Sequence, residues 1–243
     1  MKRAMGVLAL GALFAIPTSA SAGNLHLRLG AFFPSADSNL FDDDASLYSR
    51  GEGFDASGNP RGIEDNDWIG FTGGVEYSFR LANNVELGLS VDGYGKRLDT
   101  FYREFTRPDG TDIRQSLELD IIPVGMTLRL VPTGRRDRIT PYIGVGPDAV
   151  FWRYKEYGDF IDFQSPGLDI IPDSFRSDSV AFGVHAAGGL RIPFGHDFAV
   201  VAEGRYQWAK EDMGEDFRPT APGLVNKIDL GGWSATLGFL IHF

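Results

Sequence analysis

The 243-residue chain contains no cysteine, so no disulfide can brace its fold and no thiolate can bind a metal or attack a substrate. Beyond the amino-terminal segment it also lacks any run of about 18 apolar residues, which argues against a membrane-spanning helix. Basic residues are outnumbered: 23 Lys and Arg stand against 33 Asp and Glu, for a formal net charge of −10. This balance argues against a nucleic-acid partner, because phosphate binding needs clustered Lys and Arg.

The amino-terminal segment has the pattern of a secretory signal peptide. It begins with the basic pair Lys2 and Arg3, continues with a short apolar stretch and ends in Ala-Ser-Ala before Gly23. The apolar stretch is too short to span a membrane as a helix. We therefore predict that residues 1–22 are cleaved and that the mature domain is residues 23–243. Losing two bases and no acid takes the net charge from −10 to −12.

Alternation of apolar and polar residues with a period of two recurs through the rest of the chain, which favours strands over helices. We count eight such segments, and long connections follow the first, third, fifth and seventh of them. Strict alternation of short and long connections predicts an all-β, eight-stranded, antiparallel up-and-down barrel with every long loop at one end. The alternation breaks at Ile121-Ile122-Pro123, where we predict a bulge, because proline cannot donate to a strand ladder.

The polar face of these segments carries charges of both signs near mid-strand and is rich in glycine. An eight-stranded barrel is just filled by side chains, so this face suits an interior in which charges must pair. The apolar face carries aromatic residues at both ends, as at two membrane interfaces. A soluble barrel with the apolar face inward is the alternative. The predicted interior cluster is Arg28, Glu76, Arg80, Glu86, Asp92, Arg129, Glu203 and Arg205. The predicted girdles are Trp68, Phe71, Trp152, Tyr206 and Trp208 toward the long loops, and Tyr77, Phe79, Phe198 and Phe243 toward the short turns.

The last segment, "GWSATLGFLIHF", places Phe239, Ile241 and Phe243 on one face. It resembles the C-terminal signature of bacterial outer-membrane β-barrels, which implies recognition by the barrel-assembly machinery. The stretch "IIPVGMTLRLVPTGRRDRITPYIGVGPDAVFWRY" is similar to the superfamily of small outer-membrane barrels with OmpA-, OmpX- and OmpW-like members. The resemblance implies a transmembrane barrel in a Gram-negative outer membrane, in contact with lipid and lipopolysaccharide, with periplasmic termini. We expect a monomer without cofactors, and no peptidoglycan-binding domain of the OmpA type.

The long connections leave several contacts open. We expect the acidic first loop to be solvated rather than a dedicated divalent-cation site, because its spacing matches no calcium loop. Basic residues of the second loop could meet lipopolysaccharide phosphates. The third loop is unusually apolar, so its side chains either pack locally or contact a hydrophobic compound, as OmpW-like proteins are thought to do. The apolar residues concerned are Phe160, Ile161, Phe163, Ile170 and Ile171.

Catalysis is not expected, because a hydroxyl nucleophile needs a base within hydrogen-bonding reach. His185 and Ser179 share a face of one segment but lie far apart along it, and the sequence reveals no carboxylate partner for the histidine. We therefore expect a non-enzymatic barrel with a structural, envelope-integrity or surface-binding role. The alternatives are a narrow conduit or binding protein for small hydrophobic compounds and, more remotely, a lipid A-modifying enzyme.

Overall fold

A computed structural model describes residues 23–55, 58–132, 139–163, 165–195, 197–217 and 226–243, so the predicted signal peptide lies outside the described residues. Within these ranges, one helix, α1, spans Asn39–Leu47, and two short 3₁₀ turns span Asp65–Trp68 and Glu215–Phe217. The strands are β1 (Gly23–Pro34), β2 (Tyr48–Phe54), β3 (Pro60–Gly62), β4 (Gly70–Ala82), β5 (Val85–Thr106), β6 (Asp112–Leu130), β7 (Thr140–Asp162), β8 (Asp169–Phe194), β9 (Phe198–Trp208), β10 (Lys210–Asp212), β11 (Lys227–Asp229) and β12 (Gly232–His242).

Eight strands form a closed antiparallel ring in the order β1, β4, β5, β6, β7, β8, β9, β12, and β12 pairs back onto β1. The closing register is continuous, from Asn24 opposite His242 to Pro34 opposite Gly232. Closure gives every strand of the ring two neighbours, which satisfies backbone groups that lipid could not. The predicted up-and-down barrel of eight strands is therefore confirmed. No helix among the described residues is long and apolar enough to cross a membrane.

The apolar stripe of the barrel strands faces outward and the charged stripe is enclosed. Leu27, Leu89 and Phe239 are 47%, 42% and 42% exposed, although they are large and apolar. Glu76 and Arg205 are only 1% and 6% exposed. A water-soluble barrel would have the opposite arrangement, so the predicted orientation is confirmed and the outward stripe is suited to hydrocarbon.

The barrel wall has two very different heights. β5, β6, β7 and β8 contain 22, 19, 23 and 26 residues, whereas β1, β4, β9 and β12 contain 12, 13, 11 and 11. A tilted transmembrane strand needs only about 9–11 residues. The four consecutive long strands therefore continue well beyond the membrane, and much of the sequence predicted as second and third loops is strand.

The polarity of the two faces inverts where the long strands leave the membrane. On β7 the outward side changes from Phe151 to Arg153 and Lys155, while the inward side becomes apolar at Val150 and Trp152. The same change occurs on β6 at Ile121 and Ile122, and the register of β6 against β7 stays continuous there. The predicted bulge is therefore wrong. The break in alternation marks the inversion, and Pro123 only interrupts the pairing with β5.

An apolar core fills the concave side of this extension. α1 covers it by burying Leu40, Phe41 and Asp44 on one helical face, and Asp42 in its first turn suits the positive end of the helix dipole. Two predicted girdle residues belong to this core rather than to the lipid face: Trp68 is 1% and Trp152 3% exposed. The core comprises Phe32, Ala36, Leu40, Phe41, Tyr48, Ile63, Trp68, Tyr94, Leu98, Tyr102, Ile113, Leu117, Leu119, Ile121, Val150, Trp152, Tyr154, Ile161, Ala181, Ala209, Met213, Ile228 and Leu230.

Candidate functional site

The membrane-embedded part of the barrel interior holds a balanced network of charges. Its centre is Glu76 on β4, whose carboxylate accepts two hydrogen bonds from Arg129 at 2.7 and 3.0 Å and one from Arg28 at 3.3 Å. Both oxygens are thus engaged by the forked geometry that arginine offers to carboxylates. The network contains as many guanidinium groups as carboxylates: Arg28, Arg129, Arg191 and Arg205 with Glu76, Glu86, Asp92 and Glu203.

Arg28 ties together acids from three other strands. Besides Glu76, it donates to Asp92 from Nε and Nη2 at 2.7 and 2.5 Å and to Glu203 from Nη1 at 3.1 Å. Gly74 makes this approach possible, because a Cβ at that position would lie 2.0 Å from an oxygen of Asp92. Since charges buried this deeply are stable only when paired, the network fixes the relative positions of strands from both sides of the barrel.

A second part of the network lies toward the short turns. Arg191 donates to both oxygens of Glu86 at 3.0 and 2.7 Å. The ring of Tyr142 lies against the guanidinium groups of Arg129 and Arg191, 4.7 and 5.0 Å from its centroid. Its hydroxyl donates to Glu203 at 2.7 Å. The aromatic ring therefore contacts both arginines, while its hydroxyl binds Glu203.

The structure brings together every predicted interior charge except one. Arg80 is exposed near the short turn after β4 and lies outside the buried network. Sequence reasoning missed Arg191 and Tyr142. Arg191 could have been found from the alternation on β8. Leu190 lies on the apolar, outward face of this strand, so its neighbour Arg191 must lie on the inward face.

A hydroxyl, an imidazole and a carboxyl from three neighbouring strands form a connected series of hydrogen bonds. Thr127 Oγ1 is 2.9 Å from His185 Nε2, and His185 Nδ1 is 2.8 Å from Asp148 Oδ2. Asp148 is the carboxylate partner that the sequence did not reveal. The order is that of a nucleophile, base and orienting acid, but Thr127 is 0% and His185 1% exposed, so the hydroxyl is closed off from solvent. The array fastens β6, β7 and β8 to each other. Ser179 takes no part in it.

Between the charge network and the apolar core lies a small cavity of about 30 Å³. It is bordered below by Arg28, Asp92 and Arg205 and above by Phe32 and Tyr94. A cavity of this size holds about one or two water molecules. Among the described residues, the barrel interior is thus occupied by a polar layer and by the apolar core above it, which α1 covers.

Two acids are buried in the apolar core above the membrane. Asp44 of α1 accepts a hydrogen bond from the hydroxyl of Tyr154, and Glu156 accepts one from Tyr48 at 3.4 Å. Burial raises the pKa of Glu156 to about 7. Burial, followed by the charge of Glu156, raises the pKa of Asp44 as well. No cationic group contributes to either shift, so both carboxyls favour their protonated forms here. The described residues include no group of three or more His, Asp or Glu arranged to hold a metal ion.

The apolar residues predicted to lie in the third loop belong to a hairpin formed by the ends of β7 and β8. Phe160 and Ile161 are buried, and the ring of Phe160 packs edge-on against Phe175 at 5.0 Å. Ile170 packs partly on the apolar core, whereas Phe163 and Ile171 are 55% and 43% exposed at the tip. Local packing therefore accounts for part of this apolar set and leaves the tip uncovered.

The part of β8 before Val184 is a sheet edge, because pairing with β9 begins only at Val184. This holds for the residues that the structure describes. The edge is protected against further pairing. Pro172 has no N–H group, the N–H of Ser174 is bound by the Asp173 carboxylate at 2.7 Å, and that of Arg176 by Asp216 at 3.1 Å. Such blocking prevents chains from adding to an exposed sheet edge.

Residues 5–239 match the family described as "Outer membrane protein beta-barrel domain". The chain belongs to this family. Its membership places the protein in the outer membrane and agrees with the outward apolar stripe of its strands. Of the predicted signature residues, Phe239 and Ile241 lie on the outward face of β12, and Phe243 directly follows this strand. The backbone N–H of Phe243 donates to the carbonyl of Gly23 at 3.0 Å.

Solved structures of small outer-membrane barrels are similar to this family member at low sequence identity. The crystal structure of Neisserial surface protein A is 12% identical, with 92% of this chain and 98% of that chain covered and a TM-score of 0.49. Outer membrane protein AlkL is 15% identical, with 94% and 95% covered and a TM-score of 0.43. Outer membrane protein W of E. coli is 13% identical, with 93% and 100% covered and a TM-score of 0.39. No curated protein sequence matches the chain.

Proposed function

We propose that the protein is a closed, non-enzymatic anchor that holds a folded platform on the outside of the outer membrane. The platform consists of the protruding parts of β5–β8 together with α1. The observation that carries this proposal is the filled interior: the cavity between the charge network and the apolar core measures only about 30 Å³. A conduit would have to displace side chains such as Leu117 and Trp152, which are 0% and 3% exposed.

The tip of the β7–β8 hairpin is the contact surface of this platform. Phe163, Leu168 and Ile171 are 55%, 45% and 43% exposed there, on a hairpin paired in continuous register from the membrane to Asp162 opposite Asp169. Phe163 stacks edge-on against Phe105 at 5.7 Å, which holds it in place. Clustered apolar groups facing water mark surfaces that bind a partner. Our proposal thus favours surface binding over a purely structural role.

Orientation is tested by labelling single cysteines in intact cells, because the chain has no cysteine of its own. Pro108→Cys lies in the turn between β5 and β6, and Asn83→Cys lies in the short turn between β4 and β5; both positions are exposed. A membrane-impermeant maleimide should label the first variant in intact cells and the second only after lysis. The reverse pattern would overturn the proposed orientation and the periplasmic position of the termini.

Closure is tested with the purified protein in planar bilayers and in liposomes that contain a hydrophobic dye. We expect no steady conductance and no protein-dependent dye transfer. Arg28→Ala is the matched positive variant, because it removes the side chain that joins three acids across the barrel and should give measurable current. Conductance or dye transfer by the unmodified protein would contradict the closed anchor and favour the conduit.

A further inference from the structure

The outward wall formed by β8, β9 and β12 contains a groove of about 570 Å³. Its floor is formed by small residues, and its wall at the long-loop end by aromatic rings. Gly188 lies opposite Gly204, and Ala186 lies opposite Tyr206, which in turn lies opposite Trp233. The groove is lined by Ala186, Gly188, Gly204, Tyr206, Trp208 and Trp233.

The two glycines of the floor are not required by the protein itself. Neither has a positive φ, a Cβ added at Gly204 would meet no atom within 4 Å, and one at Gly188 would come no closer than 3.8 Å to the carbonyl of Tyr142. Gly189, by contrast, points inward, and its Cβ would lie 2.5 Å from Tyr142. Glycine weakens a strand, and here two unfilled outward glycines face each other beside aromatic rings, which leaves room for close approach by something outside the chain.

The aromatic wall is a fixed structure. The ring of Tyr206 lies edge-on to Trp208 at 4.5 Å and to Trp233 at 5.0 Å, and its hydroxyl is 3.2 Å from Ser35 Oγ. Trp208 and Trp233 nevertheless remain 51% and 59% exposed on their outward sides. Rings at this level are typical of the membrane interface. The groove therefore runs from the interface into the hydrocarbon layer.

We infer that this groove holds an acyl chain of lipopolysaccharide from the outer leaflet. The groove is continuous with the outward apolar stripe, which outer-membrane lipid already covers, and an empty groove would forfeit dispersion contacts along its lining. The assignment to the outer leaflet rests on the proposed orientation, because the aromatic wall lies at the long-loop end. A second copy of the chain fits poorly, since a stable interface needs about 800 Å² per partner and two convex barrel walls touch along a line.

The test is native mass spectrometry of the full barrel, extracted from outer membranes in mild detergent. The groove is filled by the double variant Gly188→Leu and Gly204→Leu. Gly93→Leu is the matched control, because Gly93 lies on the same face of β5 as Leu89 and its Cβ would also meet nothing within 4 Å. Heat-dependent gel mobility confirms that each barrel is folded, and the milder Gly204→Val replaces the double variant if it is not.

We expect unmodified and control barrels to retain a lipid of lipopolysaccharide mass, and the filled variant to lose it. Equal retention by all three barrels, or no retained lipid in the unmodified barrel, would overturn the inference. Retention of phospholipid alone would overturn the assignment to lipopolysaccharide, and cysteine labelling then shows independently whether the proposed orientation has failed. A dimer that the filled variant abolishes would overturn the inference in favour of a second copy.

Discussion

Raising the pH is expected to loosen α1 from the mouth of the barrel. Burial raises the pKa of Glu156 from 4.5 to about 7, so the folded chain holds this proton more tightly than the unfolded chain does. The associated stability is complete below about pH 4.5, falls as the pH rises, and is fully lost above about pH 7. The loss at alkaline pH is on the order of 3 kcal/mol. The raised pKa of Asp44 acts in the same direction.

Trp68 reports on this change, because it is 1% exposed and its ring lies 5.5 Å from that of Phe41 on α1. In a barrel with phenylalanine at the other tryptophans, acrylamide quenching of Trp68 should increase between pH 5 and pH 8. Glu156→Gln stays neutral and keeps an amide near Tyr48, so its quenching should depend much less on pH.

The control is Glu104→Gln, which removes an exposed carboxylate from β5 and should leave the pH dependence unchanged. Two results would refute the reasoning. One is a rise in quenching that Glu156→Gln does not reduce. The other is greater quenching at acidic pH, since that would mean that protonation opens the cap.

Two further substitutions test the interior. Glu76→Gln removes the charge that Arg129 and Arg28 share, and it should lower the free energy of unfolding by about 3–5 kcal/mol. The urea midpoint of the heat-dependent gel shift measures this, and an unchanged midpoint would show that the network is dispensable. Gly189→Ala should cost about 1–3 kcal/mol through overlap with Tyr142, whereas Gly204→Ala should be neutral or slightly stabilising. Similar midpoints for these two variants would contradict the assignment of inward and outward glycines.

The membrane-embedded half of the fold could be predicted from the sequence, because the more apolar face of each strand there points outward and the charged face points inward. Leu27, Leu89 and Phe239 face out, and Glu76 and Arg205 face in, as the period of two predicts. The paired charges follow from the same rule. Their partners do not, because the sequence contains no information on which strands meet across the interior.

The extension could not be predicted because the meaning of the alternation reverses there. Above the membrane the outward face needs charges and the inward face needs apolar groups, so Trp152 points inward and Arg153 outward. We expected a bulge where polarity changed on β6 and loops beyond it, and the structure continues the strands. Trp68 was misplaced for a related reason, since it lies in a 3₁₀ turn that folds over the mouth.

The unequal wall makes the molecule one-sided. From β7, with 23 residues, to β12, with 11, the difference is about 40 Å measured along a strand. In a crowded bilayer, bulky neighbours can approach the low side of the rim closely, while the tall side holds them at a distance. Lateral encounters in the plane of the membrane are therefore directional, and the lipid groove lies across β8, β9 and β12, where the high wall gives way to the low one.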